Sequence, residues 1–148
     1  MSEIMLAHGD WVLVCDGAKA LLFENVGPLD SAKLQVRETY KQDNPATHEQ
    51  GTDAPGRAMA SVGGGRSAVE QTDWHDRAEQ TFLESLAARL DHAATDGALK
   101  SLVVVAPPRA LGMLRSAYSQ ALRATIKAEV DKDLVKLPVP QIEKHLAA

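Results

Sequence analysis

The chain contains one cysteine, Cys15, in 148 residues, which excludes an internal disulfide framework and fits a reducing compartment. It also lacks a long hydrophobic run. The stretch from Leu102 to Pro108 is the longest, far short of the ~18–20 residues a membrane span needs. Aromatics are scarce, two each of Trp, Tyr and Phe, too thin a supply to read as a base-stacking platform. No basic, then apolar, then small-residue leader opens the sequence, so the expected location is the cytoplasm. What is present is 45% hydrophobic and 24% charged residues, the composition of a folded domain with a buried core. The length suits one domain over residues 1–148.

The net charge of −4 is unevenly spread. Residues 1–97 carry 8 Lys+Arg against 16 Asp+Glu, whereas residues 98–148 carry 8 against 4. The basic C-terminal third is suited to an anionic partner, although uneven scatter in a short chain gives the same arithmetic.

Two apolar, β-branched runs, Trp11–Cys15 and Ala20–Glu24, flank Asp16-Gly17, which reads as a hairpin turn. A third strand is expected over Lys33–Lys41, where Leu34, Val36 and Tyr40 alternate with polar residues. Residues 42–69, punctuated by Asn44-Pro45, Pro55-Gly56 and Gly63-Gly64-Gly65, read as a long loop. From Thr72 or Asp73, an N-cap, the period turns helical: Ala78, Phe82, Leu86, Leu90 and Ala94 form a stripe widened by Leu83 and Ala87, and Gly97 stops it. Leu102–Ala106 is a strand apolar on both faces, and Pro107-Pro108 leads into a helix with Leu111, Leu114, Tyr118 and Leu122 on one side. A last strand over Thr125–Val130 and a terminal helix over Gln141–Leu146 complete the order βββ-α-β-α-β-α. The fold class is α/β, a mixed five-stranded sheet packed by about three helices.

Arg109 stands where a strand meets a helix start, a place where open α/β sheets collect ligands and free N–H groups meet anions. A cation there is disfavoured by the helix dipole unless an anion visits, or unless the side chain simply faces solvent. Arg115 and Arg123 lie eight residues apart along the expected helix, either a phosphate-tracking edge or a solvated flank. Gly63, Gly64, Gly65, Arg66 and Ser67 could turn successive N–H groups toward an anion, or form a flexible linker. They are not a Walker loop, since no Gly-Lys-Ser/Thr follows. His75 and Glu79 have i, i+4 spacing, but the second histidine of the zinc-protease pattern is missing, so no metal or cofactor is expected. Cys15 reads as a core thiol, and Ser67 with His75 is the one nucleophile–base pairing that a hydrolase would have at its disposal.

Taken together, several blocks resemble the bacterial host attachment family, proteins required for attachment to host cells. They are Trp11–Ala20, Gly56-Arg57, Gly63–Ser67 through Glu70–His75, Leu102–Arg115 with its Ala-Pro-Pro-Arg centre, and Glu129–Pro138. That family is similar in turn to the middle domain of archaeal and eukaryotic peptide release factors. The resemblance implies a mixed sheet with helices, and the ribosome or a structured RNA as partner. In release factors a Gly-Gly-Gln loop promotes peptidyl-tRNA hydrolysis; Arg66 stands where that glutamine would be. An arginine holds phosphate but does not replace the glutamine, so the resemblance implies binding without hydrolysis. Three functions follow: a ribosome- or RNA-associated binding module using Arg66, Arg109 and Arg115; a cytoplasmic factor contributing indirectly to attachment; and a small hydrolase near the glycine loop. The sequence leaves the oligomeric state open.

Overall fold

The computed structural model describes residues 5–29, 31–42 and 68–147. Three strands come first: β1 (Trp11–Cys15), β2 (Lys19–Asn25) and β3 (Leu34–Lys41). Then follow α1 (Ala68–Asp96), β4 (Leu102–Ala106), α2 (Pro108–Ala117), α3 (Gln120–Thr125), β5 (Ile126–Asp131) and α4 (Val139–Ala147). The strands join in one sheet of order β3-β2-β1-β4-β5. Pairs β1–β2 and β2–β3 are antiparallel, while β1–β4 and β4–β5 are parallel. The α/β class and the mixed five-stranded sheet agree with the sequence reading.

The alternation of side chains across the two central strands explains the layering. Trp11, Leu13 and Cys15 of β1 and Leu102, Val104 and Ala106 of β4 face one way, against Leu83, Leu86 and Leu90 of α1 and Leu111 and Leu114 of α2. Val12, Val14, Val103 and Val105 face the other way, against Leu134, Val135 and, on α4, Ile142 and Leu146. Each fully buried Leu or Val of this kind contributes roughly 1.5–3 kcal/mol relative to exposure. The sheet is therefore covered on both faces, which two adjacent unbroken apolar strands require.

Apart from one-residue shifts at the ends of β2, β3 and β5, four features differ from the sequence reading. Helix α1 starts at Ala68, not at a cap on Thr72 or Asp73, so residues 68 and 69 belong to it. No Pro or Gly interrupts Ala68–Asp73, and a helix once nucleated propagates through such residues. The single helix expected after Pro107-Pro108 is two: Tyr118 leaves helical geometry, and the Ser119 hydroxyl accepts from the Leu122 N–H at 3.0 Å as the N-cap of α3. The order is thus βββ-α-β-α-α-β-α. Helix α4 begins at Val139, with Pro140 in its first turn, where the missing N–H has no partner to lose. Finally, β3 carries a bulge: Leu22 pairs with Glu38 and Phe23 with Val36, so Arg37 is the extra residue. Leu34 consequently packs on the α4 side, while Tyr40 packs on the α1 side.

The helix stop at Gly97 is as expected. With φ of +88° it occupies the left-handed region, and the Leu99 N–H closes onto the Ala93 carbonyl at 3.1 Å. At the amino end of the parallel strands, the fully buried Asn25 organises the chain. Its Nδ2 donates to the carbonyls of Leu6 (2.8 Å) and Ala7 (3.1 Å), and its Oδ1 accepts from the Gly27 and Lys33 N–H groups, both at 2.8 Å. Nearby, buried Asp10 accepts from Lys127 of β5 at 2.7 Å. On the opposite layer the Glu143 carboxylate accepts from the Leu34 N–H at 2.7 Å and ties α4 to β3.

Asn25→Ala removes the partner of the Gly27 and Lys33 N–H groups and of the Leu6 carbonyl at once, while the Ala7 carbonyl keeps the Asp10 N–H at 3.0 Å. It is expected to lower stability by about 2–4 kcal/mol, as loss of buried hydrogen-bond partners does, measured by urea unfolding with an unchanged m-value.

Candidate functional site

The carboxyl ends of β1 and β4 lie side by side, and the segments leaving them form one edge. The β1–β2 turn is fixed by Asp16, whose carboxylate accepts from the Ala18 and Lys19 N–H groups at 2.8 and 2.9 Å. Gly17 in this turn abuts α1: a Cβ there would lie 2.7 Å from the Glu79 side chain. The Gln42 side chain donates to the Gly17 carbonyl at 3.0 Å. Arg109, at the start of α2, reaches α1, where its Nε donates to Glu79 at 3.1 Å and its Nη2 to Asp76. The cation at a helix start is thus balanced by two carboxylates from a neighbouring helix, a solution the sequence reading did not contain.

Arg115 meets an acid too. Its Nε and Nη2 both reach Glu129 Oε1 on β5, at 2.9 and 2.7 Å, and the Tyr118 hydroxyl donates to the other oxygen at 3.0 Å. Burial and the Glu129 charge raise the Tyr118 phenol above its ordinary range, so it stays a donor. Arg123 lies on α3, not on the helix of Arg115; it donates to the Arg115 carbonyl at 3.1 Å and its guanidinium lies 5.7 Å from the Tyr118 ring centre. The uneven charge along the chain is met internally in part: Asp76, Glu79 and Asp10 of the acidic part pair with Arg109 and Lys127 of the basic part.

Gly63, Gly64, Gly65, Arg66 and Ser67 lie outside the described residues, as does most of the expected 42–69 loop. Arg109 and Arg115 are not brought together: Asp76 and Glu79 hold the first, Glu129 the second. Among the described residues no three His, Cys, Asp or Glu side chains gather to hold a metal, and no helix is long and apolar enough to cross a membrane. Cys15 is fully buried under α1, where desolvation, with the Asp16 charge adding to it, pushes its thiol up to about 12.

The feature that sequence reasoning missed is a cleft of about 650 Å³ between the end of β3 and the middle of α1. Tyr40, Lys41 and Gln42 line one side; Arg77, Thr81, Phe82 and Ser85 line the other. The Tyr40 hydroxyl donates to Glu38, which in turn accepts from Arg89 of α1 at 2.6 Å. Burial works against the Glu38 charge, but the bonds from Tyr40 and Arg89 outweigh it and hold the carboxyl below its ordinary range. Two of the six aromatics of the chain therefore share one cleft, although composition alone argued against a stacking surface. The signal was in the sequence only as a bulge-dependent change of face, which alternation counting does not register.

Residues 11–146 match the model of a protein family described as "Protein required for attachment to host cells". No curated protein matches the chain.

Two outcomes follow from these environments. The Cys15 thiol is expected to resist a colorimetric disulfide reagent in native protein at pH 8 and to react fully once urea unfolds the chain, because a buried, protonated thiol is no nucleophile. The lowered Glu38 pKa means that its stabilising effect is complete above the unfolded carboxyl value and lost as pH falls through the folded value. Stability of the native chain should therefore fall more steeply below about pH 4.5 than that of Glu38→Gln, compared by urea titration at successive pH values.

Proposed function

The chain belongs to the family of proteins required for attachment to host cells, and from that premise we propose that it serves attachment as a non-catalytic module binding an anionic partner. The observation that carries the reading is a corner of cations without carboxylate partners. Lys19 and Lys41 are directly opposed across the β2–β3 ladder, an arrangement that like charges disfavour. Lys41 and Arg77 both line the cleft, from β3 and from α1. Among the described arginines, Arg37, Arg89, Arg109 and Arg115 pair with carboxylates and Arg123 with a carbonyl and a ring, while Arg77 has no such partner. Cations left unpaired beside a concave, partly apolar surface suit a ligand that brings its own negative charge.

Structured RNA, ribosomal RNA included, is the partner class within this proposal, which extends to this chain the resemblance expected between its family and release-factor middle domains. A cytoplasmic location belongs to the same proposal, with the contribution to attachment then indirect. Arg109 and Arg115 act mainly as ties between elements in this reading, and Arg77 and Lys41 hold the phosphates.

The test is binding of the full chain to a labelled structured RNA over a range of salt. The logarithm of the association constant should fall linearly with the logarithm of salt concentration. Lys41→Ala with Arg77→Ala should reduce the slope by about 0.7–0.9 for each phosphate that is no longer neutralised. Absence of binding at low salt, or binding indifferent to both substitutions, overturns the proposal.

A further inference from the structure

We infer that the cleft between β3 and α1 accepts one unpaired nucleotide of an RNA strand, its base against the rings of Tyr40 and Phe82 and its phosphate against Arg77. The inference rests on the RNA-binding reading above and narrows it. The cleft volume, about 650 Å³, lies within the usual range for small-ligand pockets, ~300–1,000 Å³. A duplex, by contrast, keeps its base faces stacked internally and offers only edges and backbone to a protein. Two aromatic rings call for a flat partner with its face exposed, and an unpaired base is one.

The polar groups around the rings agree with this occupant. The Tyr40 hydroxyl is committed to Glu38, and Glu38 to Arg89, so what Tyr40 offers a ligand is its ring. The same ties fix where the ring stands, which lowers the entropy lost on stacking. Thr81 and Ser85, exposed one turn apart on α1, supply hydroxyls that serve base edges or a ribose 2′-OH equally well. A purely apolar peptide would leave Arg77 without a counter-charge. A free phosphate would leave both rings unused.

Fluorescence anisotropy with the full chain and a labelled RNA strand of about ten nucleotides, alone and annealed to its complement, tests the inference. The single strand is expected to bind about tenfold more tightly than the duplex, and Phe82→Leu, which keeps apolar bulk but removes the ring, should weaken single-strand binding about tenfold. Inorganic phosphate should compete only at high concentration. Because Phe82 packs partly on the core, circular dichroism of the variant is run alongside, and the strand-versus-duplex comparison on the unaltered chain stands without it. Equal affinity for strand and duplex overturns the single-nucleotide inference and leaves RNA binding intact. Binding of neither at low salt overturns both, as does preference for a phosphorylated peptide over RNA.

Discussion

The constraint on which the rest depends is that β1 and β4 lie side by side in parallel, each buried on both faces. Neither can be an edge, so β2 and β5 must flank them, and neither face can be left to water, so helices must cover both. Parallel pairing also forbids a tight turn between the two strands. The chain between them carries β2, β3 and the long α1 before returning, and α1 comes to rest across the sheet with Leu83, Leu86 and Leu90 on the core. The margin of that same stripe, Phe82, then faces the end of β3. The cleft is thus a by-product of covering the sheet: α1 is one-sided, β3 is an edge strand, and their flanks do not close on each other.

Much of the framework was legible because it rests on local chemistry. Asp16-Gly17 makes a turn, Gly97 adopts a positive φ, and Leu102–Ala106 has no polar residue to expose. The break between α2 and α3 was less so, since the Leu111–Leu122 stripe continues through it. Only the capping capacity of Ser119 marks the place, and serines inside helices are common. The site was the least legible part. Arg109 and Arg115 are conspicuous in sequence, yet their partners, Asp76, Glu79 and Glu129, lie many residues away or on another element. Long-range pairing of this kind has no periodicity to betray it.

The ion pairs also revise the significance of the charge asymmetry. An acidic first part and a basic last part suggest an external anionic partner when read as separate surfaces. In the folded chain the two parts interleave, because β4 inserts beside β1 and α2 packs on α1. Asp76 and Glu79 meet Arg109, and Asp10 meets Lys127. Of the described cations that no carboxylate meets, Lys19, Lys41 and Arg77 share one corner, at the ends of β2 and β3 and along the cleft. The exposed pairs of Arg109 contribute little to stability, so their larger effect is on which cations stay available.

The bulge at Arg37 makes the chemistry of the cleft a matter of counting as much as of residue identity. Leu34 and Tyr40 are six residues apart, so strict alternation would put both on the α4 side, and the extra residue is what turns Tyr40 to the α1 side. The same six-residue spacing without the bulge would lose the aromatic wall, whereas a deletion that removed the bulge with its extra residue would keep it. In comparing relatives of this chain, the β3 spacing and the bulge therefore have to be read together, and neither alone reports whether an aromatic wall exists at this corner.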